Sequence, residues 1–293
     1  MTISAPTFSI VIPTRDRPDL LRRACQSALR AAGTSGEVIV VDDSSKIPAH
    51  EALLMFSSQR LRVISLMGKS GVGAARNAGL HASRGSVIFF LDDDDEIEPN
   101  YCSNVLGGPA AFADFGFSNY YLVKDVNSAQ LMKPRFRTGP INTRASIRRR
   151  TCGMGMGFWI RQEAIALAGP INEELVVWED ADYVFRLISL GLQQWYSAHP
   201  GMRIYDHSTQ SSGTSRNVTI RTSHAVWERT VRSVLDHYPF ARRDFSLHYI
   251  KTCAKAMKFD RGFRFIRVNR SKFGLGWSLL LKLYLFYRRR SRR

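Results

Sequence analysis

Four short strand-like segments, three of them almost unbroken apolar runs and the third in order interrupted by Arg62 and Ser65, alternate with segments of helical periodicity and constrain this chain more than anything else in it. They are Phe8 to Pro13, Val38 to Val41, Leu61 to Leu66 and Val87 to Leu91. Runs this short and rich in Val, Ile and Phe read as strands buried on both faces. After the first, Pro18 suits the opening turn of a helix. Leu20, Leu21, Ala24, Ala28 and Leu29 recur along that helix, and Gly33 and Gly36 end it. Ala49 to Ser58 and Gly73 to Ala82 read as further helices. Such alternation predicts an α/β fold with a mostly parallel sheet flanked by helices. At 293 residues and 44% hydrophobic, the chain can bury one large core and carry appendages.

Two of these strands run straight into acids. Val40-Val41 is followed by Asp42-Asp43-Ser44-Ser45, and Phe90-Leu91 by Asp92-Asp93-Asp94-Asp95. Ligands of open α/β sheets bind beyond the carboxyl ends of the strands. If both tips share one edge, their acids therefore converge on one cleft. Carboxylates packed together raise the pKa of some of their number unless a cation offsets the repulsion. Mg²⁺ and Mn²⁺ accept such oxygen ligands. An acid at a strand end also serves as a turn former or helix cap, and one of Asp42 and Asp43 suits that role.

Several frames for these residues fail. Gly68-Lys69-Ser70 lacks the earlier glycine of a P-loop, since position 63 is Val. The aspartate run would put Ile97 where an EF-hand loop needs glycine. No GxSxG supports a hydrolase nucleophile. The first strand ends in Pro-Thr-Arg, without the Asp-x-Asp-x-Thr of haloacid-dehalogenase phosphatases. Cys25, Cys102, Cys152 and Cys253 form no CxxC pair, which points to reduced thiols in a cytosolic setting. Residues 1–7 lack the basic and apolar regions of a signal peptide. Metal-assisted handling of a nucleotide or phosphate remains.

The motifs, taken in order, resemble one family. Val11-Ile12-Pro13-Thr14-Arg15-Asp16-Arg17, Val40 to Ser45, Gly73-Ala74-Ala75-Arg76-Asn77-Ala78-Gly79-Leu80 and Phe90 to Asp95 are followed by Gly157 to Arg161. Trp178-Glu179-Asp180-Ala181-Asp182 and Asp206-His207-Ser208 complete the series. Their order and spacing resemble family 2 glycosyltransferases of GT-A fold over roughly residues 8–215. The resemblance implies transfer of a sugar, with inversion, from a nucleotide-diphosphate sugar donor to a sugar or lipid-linked acceptor. It implies that Pro13, Thr14, Arg15, Asp43 and Asp42 hold base and ribose, and that Arg76 lies near the nucleotide. The Asp-x-Asp motif falls on Asp92-Asp93-Asp94, with Asp94 as ligand of a divalent metal, Mn²⁺ or Mg²⁺, assisted by His207. Asp180 is then the general base, set apart from Asp94, with Glu179 and Trp178 on the acceptor side.

Plainer readings stand beside these. Asp180 also suits the N-cap of a helix over Ala181 to Leu190, Glu179 an arginine partner, and Trp159 and Trp178 packing. Arg148-Arg149-Arg150 is either a solvated face or a phosphate clamp, and acceptor specificity is expected in loops such as Tyr120 to Arg150. A nucleotidyltransferase, or a non-catalytic scaffold keeping the fold, are the alternative functions.

The chain carries a net +17, and ten of those charges are Lys or Arg between Gly262 and Arg293, where no acid occurs. Trp277 to Tyr287 is apolar apart from Lys282 and runs into Arg288-Arg289-Arg290-Ser291-Arg292-Arg293. The stretch is too short to span a bilayer and suits an interfacial helix on an anionic membrane surface. Packing on the catalytic domain, with solubilising arginines, is the other possibility. The apolar partner segment argues against nucleic acid. The expected organisation is a catalytic domain over 1–215 and a helical basic extension over 216–293, peripheral on the cytoplasmic membrane face.

Overall fold

The computed structural model describes residues 5–125, 128–142, 147–175, 178–206, 234–255 and 257–290. The chain divides into two compact units, Met1–Ala145 with Cys152–Asp206, and Ser146–Thr151 with His207–Arg293.

The first unit is built on β1 (Phe8–Thr14), β2 (Gly36–Asp42), β3 (Leu61–Ser65) and β4 (Val87–Phe90), all parallel and ordered β3-β2-β1-β4. Helices α1 (Pro18–Ala32), α2 (Ala49–Ala52) and α3 (Val72–Ala82) make the crossovers. Alternate side chains leave a strand on opposite faces, and the core divides accordingly. Ile10, Ile12, Val38, Val40 and Phe89 pack with Leu21, Ala24 and Ala28 of α1. Val11, Ile39, Val41, Ile88 and Phe90 pack on the other face with Ala75 and Leu80 of α3. Because the strands run one way, the acids after β2 and β4 emerge on the same edge, on either side of Thr14.

Beyond β4 the sheet is mixed. It adds β5 (Glu96–Ile97), β6 (Phe115–Asp125), β7 (Ser128–Leu131), β8 (Gly139–Pro140), β9 (Trp159–Arg161) and β10 (Gln194–Tyr205), ten strands among the described residues. Strand β9 is antiparallel to both β4 and β6, while β10 runs parallel to β6. Helices α4 (Tyr101–Leu106) and α5 (Pro109–Phe112) follow β5. The short α6 (Ile147–Arg150) belongs to the second unit, and α7 (Gln162–Ala168) and α8 (Glu179–Ser189) to the first.

Three expectations are corrected. The helix foreseen over Ala49 to Ser58 stops at Ala52; Leu54 and Met55 are exposed, so no packing holds a longer one. Tyr120 to Asp125 is the second half of strand β6 rather than loop, and β7 pairs with it. Helix α8 begins at Glu179, so Asp180 lies inside its first turn and Trp178 is the cap residue.

The second unit holds α9 (Arg242–Lys255), α10 (Phe259–Val268), α11 (Arg270–Phe273) and α12 (Leu275–Arg290). Its core includes Tyr249, Ile250, Cys253, Phe265, Ile266, Leu281 and Leu285. Gly262 of α10 lies against Leu285, where an added Cβ would come within 2.8 Å of the leucine. No helix among the described residues is long and apolar enough to cross a membrane.

Candidate functional site

At the β2 tip the carboxylates are spent on backbone. Asp42, buried, accepts from the amides of Ser45 (2.9 Å) and Ala49 (2.8 Å) and so shapes the turn into α2. Asp43 accepts from the amides of Ser70 (2.6 Å) and Gly71 (3.1 Å), holding the loop that opens α3, with Arg15 at 3.6 Å. The β1 and β2 loops are latched to each other, since Asp16 donates its amide to Ser45 and accepts that of Lys46. Both loops carry a non-glycine residue in the left-handed region, Asp16 (φ 56°) and Ser44 (φ 57°), and Trp178 before α8 is a third (φ 69°). Strain of this kind gathers where a surrounding structure enforces a binding geometry.

The β4 tip is held differently. Asp93 is buried, accepts from Thr14 Oγ1 at 2.8 Å, and pairs with Arg17, which also reaches Asp94 at 3.0 Å. Arg23, stacked over the Tyr205 ring at 3.6 Å, donates to the Asp94 carbonyl. Asp95 accepts the Tyr205 amide at 2.9 Å. Asp92, Asp94 and Asp95 each place a carboxylate oxygen within 4.8 Å of the others. Burial, followed by repulsion from Asp92 and Asp94, pushes the Asp95 carboxyl well above its usual range. Burial also lifts Asp93 to about 6, against the pull of Arg17 and the Thr14 hydrogen bond. Three hard oxygen donors under mutual repulsion, two of them only half-buried, fit a divalent cation. Asp93 points instead to Thr14 and Arg17, so the run splits by position.

Helix α3 brings the third set of residues in. Arg76 is buried and pairs with Glu179 (2.7 Å) and Asp92 (3.1 Å). Its neighbour Asn77 exchanges hydrogen bonds with the backbone of Ile171, both at 2.8 Å, and so fixes the loop before α8. Glu179, Asp180 and Asp182 fill the first turn of α8, where the helix dipole favours negative charge. Asp180 Oδ1 accepts the Ala181 amide at 2.6 Å. Burial and the Glu179 charge push the Asp180 carboxyl up to about 7, opposed by Arg76 and that amide.

The run Cys152-Gly-Met-Gly-Met-Gly157 lies over these acids. A Cβ at Gly155 would come within 2.2 Å of Asp92 Oδ2, and one at Gly153 within 3.2 Å of Asp180 Oδ2. Only glycine permits the first approach. The alternating Gly153, Gly155 and Gly157 are the sequence signal for this close approach. Arg17, Arg23 and the Tyr205 amide gave none, because their roles depend on tertiary contacts.

Of the expected site residues, Thr14, Asp93, Arg76, Asp92, Asp94, Glu179 and Asp180 are joined in one chain of contacts. Pro13, Asp42 and Asp43 lie at the neighbouring β1 and β2 ends, with Arg15 reaching Asp43. Trp178 stands at the start of α8. His207 lies outside the described residues; Arg148, Arg149 and Arg150 lie on α6 of the second unit, Arg150 being buried.

The sequence matches the family described as Glycosyl transferase family 2 over residues 9–158. It is 38% identical over 95 residues to the succinoglycan biosynthesis protein ExoO of Rhizobium meliloti; the match covers 32% of this chain and 27% of that protein. A glycosyltransferase of Haemophilus influenzae without an assigned reaction is 26% identical over 263 residues, covering 86% of this chain and 80% of its own length. Among solved structures, S. aureus TarS residues 1–349 in complex with UDP-GlcNAc superposes with a TM-score of 0.66 at 16% identity, covering 96% of this chain and 89% of that one. The TarS likeness shows a shared fold. The family match runs from the first strand through the aspartate run to the glycine loop, more than half of the sequence, and the chain belongs to glycosyl transferase family 2.

Proposed function

We propose that this chain is a metal-assisted, inverting glycosyltransferase that moves a sugar from a nucleotide-diphosphate donor to an acceptor hydroxyl. The observation that carries the reading is a division of labour among acids. Asp92, Asp94 and Asp95 form a mutually repelling oxygen cluster, while Asp180 lies outside it with its carboxyl raised to about 7. A metal-bound carboxylate is a poor base, whereas a carboxylate poised near the working pH is suited to taking a proton.

In this reading Asp94, with Asp92 and Asp95, would hold a divalent cation, Mn²⁺ or Mg²⁺, and the chemistry such an ion would supply there is stabilisation of the charge on a departing diphosphate. His207 is assigned to the same group by family resemblance. Arg17, which pairs with Asp94 here, is placed to turn towards phosphate oxygens, while Arg76, held between Glu179 and Asp92, lends a fixed positive charge beside them. The acceptor oxygen attacks the anomeric carbon from the face opposite the leaving group. As the carbon–oxygen bond to the diphosphate breaks and its electron pair leaves with that group, the hydroxyl proton passes to Asp180. Glu179 keeps Arg76 in position, and Trp178 lines the acceptor side. Pro13, Thr14, Arg15 and Asp43 border the nucleoside. Asp42 fixes the turn beneath it.

TarS holds UDP-GlcNAc, which makes a uridine diphosphate sugar the first donor to try. The succinoglycan relative suits a role in cell-surface polysaccharide assembly, on a sugar or lipid-linked acceptor at the inner face of the membrane. The base assignment is tested with Asp180→Asn. Turnover should fall by about 10²–10⁴-fold, the usual worth of a general base, while the nucleotide dissociation constant stays within about twofold of wild type. Equal loss of turnover and binding would remove Asp180 from the role.

A further inference from the structure

We infer that the outer face of α12 is the surface by which the protein lies on an anionic membrane. This deepens the peripheral-membrane element of the proposed function and depends on no feature of the donor site.

Successive helical residues step by about 100°, and α12 is apolar almost all the way round that circle. Its inner side is used: Ser278, Leu281 and Leu285 are buried within the second unit, Leu285 against Gly262. Its outer side is not. Leu275, Leu279, Leu280, Leu283, Phe286 and Tyr287 fall on one continuous arc, and each is between 51% and 70% exposed. A water-facing helix side is normally polar, and a helix apolar all round is either buried or in contact with lipid. Six large apolar side chains in one stripe go beyond the scattered exposed leucines of ordinary surfaces.

Charge selects the occupant. Lys282 borders the arc, and the helix runs into Arg288-Arg289-Arg290, followed in sequence by Arg292 and Arg293. No acid occurs anywhere from Gly262 to Arg293. Leucines, Phe286 and Tyr287 beside a polybasic end match an interfacial helix that sinks its apolar face into the headgroup boundary and meets anionic lipid with its arginines. A second copy of this chain would bring the same positive end against itself, which disfavours self-association through this face.

The test is co-sedimentation of the full chain with phosphatidylcholine vesicles containing phosphatidylglycerol, against vesicles of phosphatidylcholine alone. Binding should favour the anionic vesicles by at least roughly tenfold and weaken with salt, as polybasic attraction does. The double variant Leu279→Glu/Leu283→Glu changes only exposed positions, so its circular dichroism and melting should match wild type. Its vesicle binding should drop by at least about tenfold. Failure of the wild type to bind, equal binding to both vesicle types, or unchanged binding by the variant would each overturn the inference. So would a wild-type dimer in solution that the variant converts to monomer. Nucleotide binding without vesicles reads the donor site separately: it should be identical in both proteins, and its absence would count against the glycosyltransferase reading without touching this one.

Discussion

The tips of β2 and β4 carry the same acid at the same edge of one sheet and hold it in opposite ways. At β2, Asp42 and Asp43 take four backbone amides between them, from Ser45, Ala49, Ser70 and Gly71. At β4, side chains do most of the holding: Thr14 and Arg17 on Asp93, Arg17 on Asp94, and Arg76 on Asp92. A backbone amide cannot leave its acid without undoing the turn it belongs to. An arginine side chain can exchange a carboxylate for a phosphate by changing rotamer. The lesson is that a cluster of acids does not by itself mark a cation site; what holds each acid decides.

The largest effect expected from this contrast concerns nucleotide binding. Losing even an outer-shell partner of a metal typically costs 10–100-fold in affinity, so Asp94→Ala should weaken Mn²⁺-dependent UDP binding by at least about 100-fold. Asp42→Ala, in the fraction that folds, should leave the metal dependence in place. Calorimetric titrations of UDP, GDP and dTDP with and without Mn²⁺ would read both variants. Loss of metal dependence in Asp42→Ala would break the comparison, because an amide-saturated acid would then be doing the work assigned to β4.

Stability should sort the same two acids the other way. Asp42 is 2% exposed, and its removal leaves the Ser45 and Ala49 amides without their acceptor. Asp42→Ala should therefore cost about 2 kcal/mol in urea unfolding. Asp94→Ala relieves repulsion and should be near neutral. Gly155→Ala lies between: its Cβ would meet the Asp92 carboxylate at 2.2 Å, so that side chain or the loop must shift, at about 1–2 kcal/mol, and metal-dependent binding should weaken as Asp92 is displaced. Unchanged metal-dependent binding by Gly155→Ala would mean that the close approach of the glycine run to Asp92 plays no part in the site.

Much of this was legible in the sequence for a physical reason. Strands β1, β2 and β4 are buried on both faces, so their apolar runs stand out; edge strand β3 is only half-buried, and parallel order brings the acids at two strand ends to one edge. The other half of the sheet was not. Strands β6 and β10 are half-buried over part of their lengths, and β10 is bulged between Ser197 and Pro200, so their pattern is neither an apolar run nor a clean alternation. The antiparallel insertion of β9 pairs it with β4, about 70 residues earlier, and with β6, about 45 residues earlier, which local periodicity cannot report. Within the site, residue types were readable and partners were not. Glu179 suited an arginine or an acceptor equally from sequence, and the fold brings it to Arg76 at 2.7 Å.

The smallest expected effect is the sharpest test of how the β4 tip is held, because its sign follows from whether burial or Arg17 dominates at Asp93. The carboxyl is raised from 3.8 to about 6 by burial, despite Arg17 and Thr14. A raised carboxyl means that, from about pH 4 upward, the unfolded chain releases this proton before the folded one does. The associated stability is present below that range, is lost as pH climbs towards 6, and stays lost above it. Asp93→Asn removes the titration but also the charge that faces Arg17, so the net gain should be only about 1 kcal/mol. The variant should therefore melt a few degrees above wild type at pH 8, with the gap closing towards pH 5 in differential scanning calorimetry. A gap that widened on acidification would mean that the Arg17 pair stabilises the ionised acid more than burial opposes it. Asp93 would then be a fixed joint like Asp42, and the line between the two strand tips would have to be redrawn one residue further along the run, at Asp94.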